Sequence, residues 1–93
     1  MEFKWSATKA AENLRKHRVS FEEASTIFLD DRAIEWFDVA HSDAEERFIT
    51  VGCSTRSRLL MVVHMERTGD VIRIISARKA EKAEVNLYVE GQR

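Results

Sequence analysis

Ninety-three residues, 44% hydrophobic and 33% charged, describe one small soluble domain (residues 1–93) around a single core, and exclude a disordered chain. A formal net charge of −1 excludes a strongly basic nonspecific nucleic-acid binder, and one cysteine excludes an internal disulfide and a cysteine-based zinc site. With no proline and only three glycines there is no linker, and no apolar run approaches the ~20 residues of a membrane span.

In chain order, Phe3–Trp5 is a short strand, and Ser6 caps a helix over Ala7–His17. Ala7, Ala10, Ala11 and Leu14 recur at i, i+3, i+4 and i+7, which predicts a buried stripe; Lys9, Asn13 and Lys16 then fall outward, with His17 on the flank. Ser20 and Glu23 have the spacing of a reciprocal capping box at the start of a second helix, Phe21–Leu29, ended by Asp30 and Asp31. Four strands follow: Ala33–Asp38, Arg47–Cys53, Leu59–Glu66 and Val71–Arg78. Turns at Ser54–Ser57 and Arg67–Asp70 join the last three, Gly69 taking the positive φ that the second needs. Ala80–Val89 closes the chain as a helix, with Ala80, Ala83 and Leu87 inward and Gly91 as its stop. The expected fold is α+β: an antiparallel four-stranded meander, plus the short N-terminal strand, packed against two N-terminal helices and one C-terminal helix.

Charge separates along the chain. Residues 1–50 carry 7 Lys/Arg against 11 Asp/Glu, whereas residues 51–93 carry 8 against 5, a balance of +3 that suits a local anionic ligand. Acidic Asp30–Asp31 and the stretch from Asp38 to Glu46 read as solvated loop, or as a surface for a partner. The N-terminus lacks the order of a secretory signal, so a cytoplasmic location is expected.

No phosphate-cradling glycine loop, nucleophile elbow or metal-ligand spacing is present, and neither metal nor cofactor is expected. His17, His41 and His64 are scattered, and His64 reads as a satisfied, half-buried side chain. What remains is a set of cations and proton carriers without a nucleophile: Arg47, Arg73, Arg78, Lys9, Lys16, His17 and Tyr88. Such a set suits RNA cleavage in which the ribose 2′-hydroxyl attacks, because the protein then supplies only a base, an acid and charge for the phosphate. On a regular strand Arg73 and Arg78 point to opposite faces, so one of them is expected to be structural, bridged to Glu84 or Glu46. Arg78, at the strand end, is the better candidate for chemistry, and Arg73 is open to either role.

Phe3–Trp5, Lys9, Asn13, Lys16–His17, Val19–Ala24, Glu46–Phe48, Gly52, Arg73–Arg78, Ala80, Glu84 and Tyr88 together resemble, in order and over nearly the whole length, the BrnT toxin family. Two positions depart from the family pattern: Trp5-Ser-Ala7 stands where Trp-Asp-Pro is usual, and Arg18 stands in place of a glycine at the helix exit. The resemblance implies a RelE-like ribonuclease toxin of a type II toxin–antitoxin pair. Its partner would be a BrnA-like antitoxin in a 2:2 assembly, contacting operator DNA only through the antitoxin. Arg78 and Arg47 would carry phosphate charge, His17 and Tyr88 would move protons in an unassigned order, and Lys9, Lys16, Arg73, Lys79 and Lys82 would bind RNA. The rival reading is a non-catalytic RelE/ParE-like protein that binds a protein target or serves only as a co-repressor.

Overall fold

The computed structural model describes residues 1–42, 45–67 and 69–92. Its elements are β1 (Glu2–Lys4), α1 (Ala7–His17), α2 (Phe21–Ser25) running into a 3-10 turn (Thr26–Leu29), β2 (Ile34–Phe37), a 3-10 turn (Val39–His41), β3 (Phe48–Cys53), β4 (Leu59–Arg67), β5 (Val71–Lys79) and α3 (Lys82–Glu90). Strand order in the sheet is β1-β5-β4-β3-β2. The strands β2 to β5 pair antiparallel in sequence, but β1 runs parallel to β5, with Phe3 opposite Ile72. The sheet is therefore mixed, not purely antiparallel, because α1 and α2 separate β1 from the meander and leave it on the far edge, alongside β5.

One sheet face carries the core. Leu60 and Val62 of β4 and Ile72, Ile74 and Ala77 of β5 pack with Val19, Phe21, Ala24 and Ile27 from the helical layer. Gly52 permits the closest approach: a Cβ there would lie 3.1 Å from the Cβ atoms of both Ala33 and Ile27. Gly69 takes φ +80° in the β4–β5 turn, as anticipated; Thr68 of that turn lies outside the described residues, as do Asp43 and Ala44 of the acidic Asp38–Glu46 stretch.

Three local expectations change. The second helix leaves α geometry after Ser25, because the hydroxyls of Ser25 and Thr26 donate to the carbonyls of Glu22 (2.6 Å) and Glu23 (2.7 Å) and compete with the helical ladder. Half of the capping box forms: Ser20 Oγ accepts from the Glu23 amide at 3.0 Å, but the Glu23 carboxylate turns inward to Ser54 Oγ (2.7 Å) and Arg58 Nε (2.9 Å). Both flanking helices present faces that differ in part from those expected, although Ala10 of α1 does pack against the core. Leu14 is 49% exposed and Asn13 only 7%, while in α3 Leu87 is exposed and Glu84, Val85 and Tyr88 are the partly covered residues. Apolar periodicity failed here because both helices attach through polar groups, α1 along a strand edge and α3 through two side-chain clamps. Among the described residues no helix is long and apolar enough to cross a membrane.

Candidate RNA-binding groove and arginine face

β1 pairs with β5 only through Val71–Arg73, so the outer edge of β5 beyond that point lacks a strand neighbour. A backbone edge left there would cost free energy unless its polar groups found partners. Helix α1 supplies one: Asn13 Nδ2 donates to the Ala77 carbonyl at 2.8 Å and to the Val19 carbonyl at 2.9 Å, while Oδ1 accepts from the Ala77 amide at 3.1 Å. Asn13 is thus buried structure, not part of an outward stripe.

Between that helix and that edge runs a groove of about 250 Å³, lined by Lys9, Glu12, Asn13, Lys16, His17, Ile75 and Ser76. Ser6 Oγ caps α1 at the Lys9 amide (3.3 Å), and the helix ends through Arg18 in the left-handed conformation, φ 60°, whose amide donates to the Leu14 carbonyl at 2.9 Å. A left-handed exit explains why glycine suits this position, and Arg18 adopts it at a steric cost. That exit sets His17 at the groove rather than beyond it. Three of the expected residues, Lys9, Lys16 and His17, come together here.

β5 carries a bulge. Val63 pairs with Ser76 but His64 with Ile74, so Ile75 is an extra residue. The inserted residue resets the alternation. Arg73 sits opposite Met65 and Arg78 opposite Met61, two positions on the same face of β4, so the arginines share a face instead of opposing each other. Arg47 joins them: its carbonyl accepts from the Asp38 amide at 2.8 Å, which extends the β2–β3 ladder one step beyond Phe48. The second sheet face therefore has an Arg47–Met65–Arg73 row and a Met61–Arg78 row, about 13 Å apart at the rise of a strand.

Of the two strand arginines, Arg78 is the paired one. Its Nη1 and Nη2 donate to Glu84 Oε1 (2.9 Å) and Oε2 (2.8 Å), and Glu81 Oε1 lies 3.5 Å from Nη2. Burial pushes the Glu84 carboxyl up, but the Arg78 fork and the Glu81 amide outweigh it and hold it below the usual range. Among the described residues Arg73 has no carboxylate within bridging distance, and the expected pairing to Glu84 belongs to Arg78. One turn after Glu84, the Tyr88 hydroxyl donates to Asp30 Oδ2 at 2.7 Å, and Asp30 also accepts from the amides of Cys53 (2.8 Å) and Arg32 (2.9 Å). Burial, then this hydrogen bond and the Asp30 charge, pushes the phenol up to about 12. Lys79 and Lys82 are exposed at the end of β5 and the start of α3.

The expected residues thus fall into four places: the α1–β5 groove, the Arg78–Glu84 clamp with Lys79 and Lys82 beside it, the Arg47–Arg73 row and the Tyr88–Asp30 clamp. The sequence reading missed the Glu23–Ser54–Arg58 network and the surroundings of His64. That imidazole is fully buried, with Nε2 2.7 Å from Thr50 Oγ1 and Phe28 edge-on at 4.9 Å. Strand alternation carried a signal for it, since Phe48 and Thr50 share one face of β3 and Val62 and His64 the matching face of β4.

Two comparisons bear on identity. The family model described as "Ribonuclease toxin, BrnT, of type II toxin-antitoxin system" matches residues 5–84. The crystal structure of the Brucella abortus ribonuclease toxin BrnT superposes with a TM-score of 0.68 at 19% identity, covering 88% of this chain and 99% of that one, which is a likeness of fold. No curated protein matches the sequence. The chain belongs to the BrnT family of ribonuclease toxins of type II toxin–antitoxin systems.

Proposed function

We propose that this protein, a single RelE-like domain, is a cytoplasmic endoribonuclease that cleaves RNA without a metal ion, through attack of the ribose 2′-hydroxyl on the adjacent phosphate. The observation that carries this reading is the gathering of Lys9, Lys16 and His17 in one groove beside the bulge at Ile75. Lys9 and Lys16 hold the RNA backbone there, and His17 moves the proton. Arg78, two residues beyond Ser76, takes up transition-state charge when a phosphate replaces Glu84 in its fork. Arg47 and Arg73 hold RNA farther along the same sheet face, and Lys79 and Lys82 hold it at the strand end. Burial and donation to Asp30 push the Tyr88 phenol up, which suits it to the acid's role and His17 to the base's. In the cell a BrnA-like antitoxin, in a 2:2 assembly, blocks this activity and joins the toxin in repressing their operon.

One observation favours the non-catalytic alternative: Arg78 and Tyr88 are both engaged by carboxylates. Incubation of purified protein with total RNA, with and without EDTA, beside His17→Ala and Arg78→Ala variants, separates the two readings. Cleavage that survives EDTA and is lost in both variants is expected. No cleavage, or cleavage unchanged in the variants, overturns the mechanism; binding of the antitoxin without any cleavage supports the alternative.

A further inference from the structure

The sheet face opposite the core is covered at one end only. Helix α3 crosses that end, where Glu84 holds Arg78 and a Cβ at Gly91 would lie 3.3 Å from Ile34 Cγ2. The next row along the strands is Trp36, Ile49, Val63 and Ser76, directly opposite one another on β2 to β5. These four side chains stay partly exposed, whereas Thr50, Val62 and His64, which alternate with them and point to the core, are buried. The row beyond carries Arg47, Met65 and Arg73. We propose that this strip is a platform for single-stranded RNA beside the cleavage groove, with one base stacked on the Trp36 indole.

The platform depends on the α1–β5 groove being an RNA site, and it is continuous with that groove. Ser76 ends the middle row and also lines the groove with Lys9, Lys16 and His17. A strand that leaves the groove over Ser76 meets Val63 and Ile49 next, then Trp36. From Ser76 to Trp36 is three strand spacings, about 14 Å, a span of a few nucleotides.

Charge and shape match the same occupant. Arg47 is the diagonal neighbour of Trp36 across the β2–β3 ladder, so its long side chain reaches the phosphate of a base stacked there. Arg73 stands on the same row on β5. Glu45 and Glu46 lie against Met65 beside that row, which bounds an anionic strand on that side. Every base has a face that stacks on an indole, but only an unpaired base can turn it outward, so a single strand fits and a duplex does not. An acidic protein segment would also answer the arginines; continuity with the groove favours RNA.

An oligonucleotide of 2′-O-methyl nucleotides lacks the attacking hydroxyl, so its binding is measured apart from cleavage. Titration into the full chain is followed by the His17 ring and by the indole N–H resonances of Trp36 and Trp5. The His17 and Trp36 signals are expected to move. That of Trp5, which packs on Phe21 at 6.0 Å beside the core, is expected to stay. Trp36→Leu keeps apolar bulk without a stacking face and is expected to weaken binding roughly tenfold. Trp36→Tyr keeps a stacking ring and is expected to retain most of the affinity. Leu29→Ala, an exposed residue of the helical layer on the other face, is expected to leave binding unchanged.

The proposal is overturned if the oligonucleotide moves His17 and leaves Trp36 in place, a result that spares the groove. It is also overturned if Trp36→Leu, folded by circular dichroism, binds as the parent does, or if a duplex of the same sequence binds as tightly as the single strand. Movement of Trp36 by poly-glutamate and not by the oligonucleotide would make the face a surface for an acidic protein segment. Absence of any binding by the parent overturns the RNA reading of groove and platform together.

Discussion

The side chain of Asn13 takes the place of a sheet neighbour for Ala77, accepting from its amide at 3.1 Å and donating to its carbonyl at 2.8 Å. The same amide donates to the Val19 carbonyl, and all three bonds are buried, so removing it takes a partner from three backbone groups. Asn13→Ala is expected to cost about 2–4 kcal/mol, read as a lower urea midpoint with an unchanged slope. Asn13→Asp is expected to cost more, because it keeps the acceptor and turns a carboxylate toward the Ala77 and Val19 carbonyls. An Asp variant as stable as the parent would refute this account of the edge.

Arg18 ends α1 at φ 60°, where a β-carbon is crowded and glycine is not. Its backbone is otherwise well used: the carbonyl accepts from Arg58 Nη2 at 3.1 Å, and a glycine retains that bond. Arg18→Gly is therefore expected to stabilise the protein by about 0.5–1 kcal/mol, seen as a rise in melting temperature. Arg18→Val is expected to lower it.

The elements were legible from the chain because each rests on local chemistry. Ser6 and Ser20 do cap helices, and the alternation of Phe48 and Thr50 against Ile49 and Val51 does sort the faces of β3. Relations across the chain were not legible. A single extra residue at Ile75 reverses the parity argument for Arg73 and Arg78, and a bulge of this kind leaves no mark in an apolar run. The inward faces of α1 and α3 were misread for a related reason. Hydrophobic spacing finds a stripe packed on a core, whereas Asn13 and Tyr88 attach their helices through polar partners far away in sequence, Ala77 and Asp30, and Glu84 does so through Arg78 on the preceding strand. Arg73 and Arg78 stand out in an apolar strand; which of them has a carboxylate is a tertiary fact.

Glu23 is a buried carboxylate held by the Arg58 fork, and by Ser54 Oγ at 2.7 Å. The bond to Arg58 lowers its pKa, against the opposing effect of burial, so the folded value lies below the ordinary 4.5. A depressed carboxyl contributes stability above pH 4.5 that is lost as pH falls through its folded value. Glu23→Gln is expected to cost about 1–3 kcal/mol at neutral pH, and to flatten the acid limb of a stability–pH curve below 4.5. A variant with the parent's acid limb would show that other groups govern acid unfolding.

Tyr88 offers the matching test at high pH. Its phenol is raised from 10 to about 12 by burial and by donation to Asp30, so the unfolded chain releases this proton first. Stability from this group is complete below pH 10 and is lost as pH rises toward 12. Tyr88→Phe keeps the ring and removes the donor, leaving Asp30 with the Cys53 and Arg32 amides. It is expected to cost about 1 kcal/mol at neutral pH, and the gap from the parent is expected to close between pH 10 and 12. Denaturant unfolding of both proteins from pH 8 to 12 measures that gap directly. The same variant bears on the proton-transfer role. If Tyr88 is the acid that protonates the leaving oxygen, Tyr88→Phe loses RNA cleavage by more than its stability explains; if it only fastens α3, cleavage per folded molecule is retained.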